Sequence, residues 1–135
     1  MMDKETGKGL KLFVLDDEKD ISYFVKELFV KRGFEVKSAL TGKAAINAIN
    51  KFSPDIAILD IRLSEKEMDG IQVLKHIREK RPNCQCVMVT YMDDEKIVKQ
   101  SLDIGAVDYL QKPLTFSEVE KAIEKIVRKI RKGAK

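Results

Sequence analysis

Two hydrophobic periods alternate along this chain. Leu10–Asp16 (LKLFVLD) is a short apolar run of strand formers that ends on an acid. Ile21, Phe24, Val25, Leu28 and Phe29 then recur at helical spacing, and Gly33 stops that helix. Residues 34–38 read as a second strand, and Thr41-Gly42 opens a helix through Ala44, Ala45, Ala48 and Ile49. Asp55–Asp60 (DIAILD) is nearly continuous in its apolar character, as a strand buried on both faces requires. A charged loop over 61–69 leads to Gly70 and a helix through Ile71, Val73, Leu74 and Ile77. Pro82-Asn83 turns the chain into a strand over 84–90. Asp93 caps a helix through Ile97, Val98, Ser101 and Leu102, which closes at Gly105. The last strand is Val107–Leu110, broken by Lys112-Pro113. Thr115 and Glu118 have capping-box spacing before a stripe of Val119, Ala122, Ile123, Ile126, Val127 and Ile130.

Five strand–helix repeats, (βα)5, predict a doubly wound α/β domain. Each crossover is right-handed and returns over a parallel sheet, so helices cover both faces. One such domain accounts for residues 10–131, with 1–9 a disordered leader and 132–135 a basic tail. The chain has 135 residues, enough for one core. It contains no run of about 18 uncharged apolar residues that would span a membrane, and the polar start is no secretory signal. Cys84 and Cys86 sit one residue apart, a poor disulfide candidate and without the partners of a zinc site, so they read as small apolar strand residues. These features point to the cytoplasm. Of the net charge of +4, residues 121–135 carry +6, which leaves −2 on the rest. Basicity confined to one terminal helix reads as a solvated face, so direct nucleic-acid binding is not expected.

Ligands of an open parallel sheet bind at the carboxyl ends of its strands. The first strand delivers Asp16 and Asp17 there, the third Asp60, the fourth Thr90, and the fifth is followed by Lys112. Each alone has an ordinary structural reading as a cap, turn or loop residue. Together they bring three carboxylates, a hydroxyl and an ammonium to one edge. Three neighbouring carboxylates raise one another's pKa unless cations are present. Lys112 and a divalent ion would balance them, and an oxygen-only set with open positions suits Mg²⁺. Such equipment stabilises charge on a transferring phosphoryl group.

The segments VLDD (14–17), DIAILD (55–60), Gly70, VMVT (87–90) and GAVDYLQKP (105–113), in this order and spacing, resemble the receiver domains of bacterial two-component response regulators, chemotaxis-regulator-like ones among them. The resemblance covers Leu12 to about Arg131. It implies a flavodoxin-like sheet of strand order 2-1-3-4-5. It implies that Asp60 is the phosphoacceptor and that Asp16, Asp17, Asp60 and the backbone carbonyl of Arg62 hold Mg²⁺. Thr90 would bond a phosphoryl oxygen and Lys112 would pair with acceptor and phosphoryl group. The Lys112–Pro113 bond would be cis, and Tyr109 would be the aromatic switch that turns inward when Thr90 moves. The implied donor is a sensor histidine kinase or a phosphotransfer protein. Phosphorylation would change the face made by the fourth helix, fifth strand and fifth helix for an unknown downstream target.

The chain departs from the family pattern in three places. Asp60 and Gly70 are ten residues apart where eight is usual, with Ser64 in place of a common Pro and charges at Glu65, Lys66 and Glu67. Tyr91 follows the threonine where Ala or Gly is usual. Arg62 and Met92 hold positions that tune hydrolysis of the aspartyl phosphate. Either Tyr91 and Arg62 shield that phosphate from water and lengthen its life, or both side chains point to solvent. His76 reads as a surface residue. An aspartate-nucleophile phosphatase would want an acid at Arg62, and a flavin or nucleotide carrier would want a phosphate loop where DDEKD stands. An unphosphorylated interaction module that keeps only the fold is the remaining alternative.

Overall fold

The computed structural model describes residues 2–63, 68–91 and 95–133. In chain order its elements are β1 (Lys11–Leu15), α1 (Lys19–Val30), β2 (Glu35–Ala39), α2 (Gly42–Phe52), β3 (Ile56–Asp60), α3 (Gly70–Lys80), β4 (Gln85–Thr90), α4 (Glu95–Ile104), β5 (Asp108–Gln111) and α5 (Phe116–Gly133). The strands form one parallel sheet in the order β2-β1-β3-β4-β5, the flavodoxin-like arrangement expected.

Side chains of successive strand residues point to opposite faces, and each face has its own helices. Leu12, Val14, Ile56, Ile58, Val87 and Val89 pack with Val25, Leu28 and Phe29 of α1 and Val119, Ile123 and Val127 of α5. Phe13, Leu15, Ala57, Leu59, Cys86 and Met88 face Ala45 and Ile49 of α2 and Val73, Leu74 and Ile77 of α3. Ile97 and Ile104 of α4 pack on this second layer. Every residue of β3 is buried, because the strand is central and covered on both sides. Both cysteines are free and buried in the second layer.

Local signals set several boundaries. The Thr41 hydroxyl accepts the Ala44 N–H to cap α2. Asp69 and Gln72 form a reciprocal capping box at α3. Thr115 accepts the Glu118 N–H and donates to its carboxylate at the start of α5. The helix after β1 is different: Glu18 stands at the N-cap and its side chain makes no capping bond. The charged loop of Ser64, Glu65, Lys66 and Glu67, Met92 and the cap expected from Asp93 lie outside the described residues.

The ends of the chain correct the reading of residues 1–9 as a disordered leader. Residues 4–9 form turns, Met2 is buried against the α1–α5 layer, and the Gly7 N–H donates to the Arg32 carbonyl at 2.8 Å. The guanidinium of Arg131 donates to the carbonyls of Thr6 and Lys8 at 3.1 and 3.0 Å. An apolar side chain and a cationic one, distant in sequence, tie the segment down. The basic stretch is not a separate tail up to Gly133, since α5 runs to that residue.

Candidate functional site

The carboxyl edge of the sheet collects the acids and the lysine. Asp16 leaves β1 with its N–H bonded to the Ala39 carbonyl at 3.2 Å, and Asp60 is the last residue of β3. The Lys112 N–H donates to the carbonyl of Thr90, which ends β4, at 2.7 Å. Asp16, Asp60, Thr90 and Lys112 are each no more than 3% exposed. Behind Asp60 the chain passes very close to itself: a Cβ on Gly70 would sit 2.1 Å from the Asp60 carbonyl oxygen and 2.8 Å from its carbon. Only glycine admits that approach, and it lets α3 begin against the end of β3. The Gly70 N–H donates to the Ile61 carbonyl there at 2.9 Å.

Lys112 is the hub. Its Nζ lies 2.9 Å from Asp16 Oδ2, 3.0 Å from Asp60 Oδ2 and 2.8 Å from Glu18 Oε2. Burial opposes its charge, but bonds to Glu18, Asp16 and Asp60 more than offset that and push its pKa up. Burial raises the Asp60 carboxyl to about 6; the Lys112 bond works against this, and the charges of Asp16 and Asp17 add to it. Asp16 is also raised, again chiefly by burial, despite bonds from the Glu18 N–H and Lys112. Glu18 is lowered by its bond from Lys112. One ammonium does not neutralise this many carboxylates, and the excess negative charge is where a cation would bind.

Carboxylate oxygens of Asp16, Asp17 and Glu18 all lie within 4.8 Å of one another, and among the described residues no His or Cys joins them. Hard, all-oxygen ligands fit Mg²⁺ and not softer metals.

Other expected residues are placed as follows. Arg62 lies two residues after Asp60 and is exposed. Tyr109 is 37% exposed on edge strand β5. The Lys112–Pro113 bond is cis. His76 is on α3, its Nε2 2.9 Å from Asn50 Oδ1. Tyr91 is 56% exposed, yet its ring centroid is 4.9 Å from Lys112 Nζ and its hydroxyl donates to both oxygens of Glu18 at 3.0 and 3.1 Å. Glu18 was missed by sequence reasoning. Its only signal was a third consecutive acid after β1, which alone suggests a solvated helix start.

The family model described as response regulator receiver domain matches residues 12–124, and the chain belongs to that family. It is 32% identical over 116 residues to the chemotaxis protein CheY of Bacillus subtilis, covering 85% of this chain and 95% of that one. It is 28% identical over 115 residues to the sporulation initiation phosphotransferase F of the same species, covering 85% and 91%. The solved CheY-like receiver domain of Methanospirillum hungatei superposes with a TM-score of 0.86 at 25% identity, covering 92% of this chain and 98% of that one. The chain is thus a signalling domain of two-component systems. No helix among the described residues is long and apolar enough to cross a membrane.

Proposed function

We propose that Asp60 accepts a phosphoryl group from a histidine kinase, a phosphotransfer protein or a small phosphodonor, and that this charge alters the α4–β5–α5 face for a downstream protein. The observation that carries the reading is the buried Asp60 carboxylate, 3.0 Å from the Lys112 ammonium and beside Asp16. A carboxylate at a pKa of about 6 is largely ionised at neutral pH and more basic than an ordinary aspartate. An Asp60 oxygen attacks phosphorus as the bond to the donor nitrogen or oxygen breaks; the leaving group keeps that electron pair and takes a proton from solvent where it needs one. Asp16, Asp17, Asp60 and the Arg62 carbonyl would hold Mg²⁺, which supplies charge neutralisation of the phosphoryl oxygens when bound. Lys112 turns one of its three donors to the product, and the Thr90 hydroxyl donates to another phosphoryl oxygen. Movement of Thr90 draws Tyr109 inward from its exposed position, which changes the output face. The closeness of the Tyr91 ring to Lys112 supports shielding of the acyl phosphate by that side chain, whereas the exposed Arg62 side chain supports the solvent-pointing alternative for that residue. A cytoplasmic site of action goes with a kinase donor of this class.

Incubation with Mg²⁺ and acetyl phosphate, followed by intact mass, tests the assignment. Wild type is expected to gain one phosphoryl group and Asp60→Asn none. No gain by a folded wild type, given either acetyl phosphate or a phosphohistidine donor, would favour the interaction module instead.

A further inference from the structure

The phosphoryl transfer above gives Glu18 no part, although it makes the shortest contact to Lys112. Its backbone N–H donates to Asp16 Oδ1 at 2.9 Å, which fixes it above the end of β1. Its carboxylate then reaches the Lys112 ammonium at 2.8 Å and takes the Tyr91 hydroxyl on both oxygens. Tyr91 directly follows β4. In the strand order β1-β3-β4, a link from the end of β1 to the end of β4 must cross the end of β3, and Asp60 is the residue there.

We propose that the Glu18–Tyr91 bridge is a latch over Asp60, which hinders small phosphodonors while closed and opens when a phosphoryl group replaces Glu18 on Lys112. The inference rests on Asp60 being the phosphoacceptor. An ammonium has three protons, and Lys112 already spends them on Asp16, Asp60 and Glu18. Any bond to a phosphoryl oxygen therefore displaces one of these oxygens. Asp16 is buried and would lose its partner without gaining water, and Asp60 stays tied to the phosphoryl group as its uncharged ester, while the Glu18 side chain is 44% exposed and returns to water cheaply. The phosphoryl group also adds up to about two negative charges, which repel Glu18. Tyr91 then loses its hydroxyl's acceptor and the bridge is broken, while its ring keeps its place beside Lys112. A docking protein donor can displace exposed side chains by its own contacts, but a small donor cannot. The latch thereby favours protein donors.

Rates of mass gain from acetyl phosphate with Mg²⁺, measured for wild type, Glu18→Gln, Tyr91→Phe and the double variant, test this. Glu18→Gln removes the charge and keeps an acceptor, and Tyr91→Phe keeps the ring and removes the hydroxyl. Each is expected to speed phosphorylation on the order of three- to tenfold, the scale of one charge-assisted hydrogen bond weakened by solvent. The double variant should be no faster than the faster single one, because both break the same bridge. Tyrosine emission gives a second readout, since the chain has three tyrosines and no tryptophan. A phenol bonded to a carboxylate is quenched, so Glu18→Gln should brighten the part of the emission that Tyr91→Phe removes. An equal or slower rate for Glu18→Gln, independent effects in the double variant, or unchanged emission overturns the latch; wild-type uptake on Asp60 meanwhile leaves the phosphoacceptor reading standing. No mass gain from acetyl phosphate in any variant overturns the latch, and the phosphoacceptor reading falls with it only if a phosphohistidine donor also gives none.

Discussion

Replacing Asp60 with Asn should stabilise the metal-free protein at neutral pH. Burial lifts this carboxyl from 3.8 to about 6, so the folded protein binds the proton more tightly than the unfolded chain does. The stability contributed by the protonated form is fully present below about pH 4 and is lost as pH rises through about 6. The shift of roughly two units, at 1.36 kcal/mol per unit, corresponds to about 3 kcal/mol lost by pH 7.5. Asp16 is raised for the same reason and steepens the same trend. Asp60→Asn has no charge to bury, and Lys112 keeps Asp16 and Glu18 as partners. It should therefore exceed wild type by about 3 kcal/mol at pH 7.5, and the gain should shrink toward zero near pH 4. Urea unfolding in a metal chelator, at constant ionic strength across pH 4–8, measures this; the melting temperature should rise by roughly 10 °C at pH 7.5. Added Mg²⁺ should narrow the gap, because a nearby cation favours the ionised carboxylate. A less stable Asp60→Asn, or a difference that does not vary with pH, would refute the reasoning.

Two further outcomes follow from local geometry. Gly70→Ala should cost at least about 2 kcal/mol in urea unfolding, because its Cβ would strike the Asp60 backbone, which cannot swing aside as a side chain would; full wild-type stability would show that α3 can shift away. Asp69→Ala should cost about 1 kcal/mol by the same measurement, since it removes the acceptor for the Gln72 N–H while Gln72 loses its register with the cap.

Much of this protein is legible in local pattern. The period of DIAILD marks a strand covered on both faces, and β3 is fully buried. Gly33 and Gly105 mark helix ends, and both adopt positive φ. The parallel sheet follows from strand–helix repeats with right-handed crossovers, and parallel strands carry Asp16, Asp60, Thr90 and Lys112 to one edge whatever the side-chain details; the strand order itself came from the family resemblance. The acids and lysine could be named because a strand's last residue has a known place in such a sheet.

Partnerships between long side chains are another matter. Glu18 meets Tyr91 across 73 positions and Lys112 across 94, and no periodicity relates them. Which of several acids an ammonium chooses depends on rotamers and on the register of strands that pair far apart in sequence. The same holds for Met2 and Arg131, which tie down a segment whose own residues are polar. Sequence by itself determined the elements, their order and the acids at the sheet's edge, since these follow from spacing along the chain. Only the tertiary structure decided that Glu18 and Tyr91 close over that edge, since that depends on where distant side chains meet.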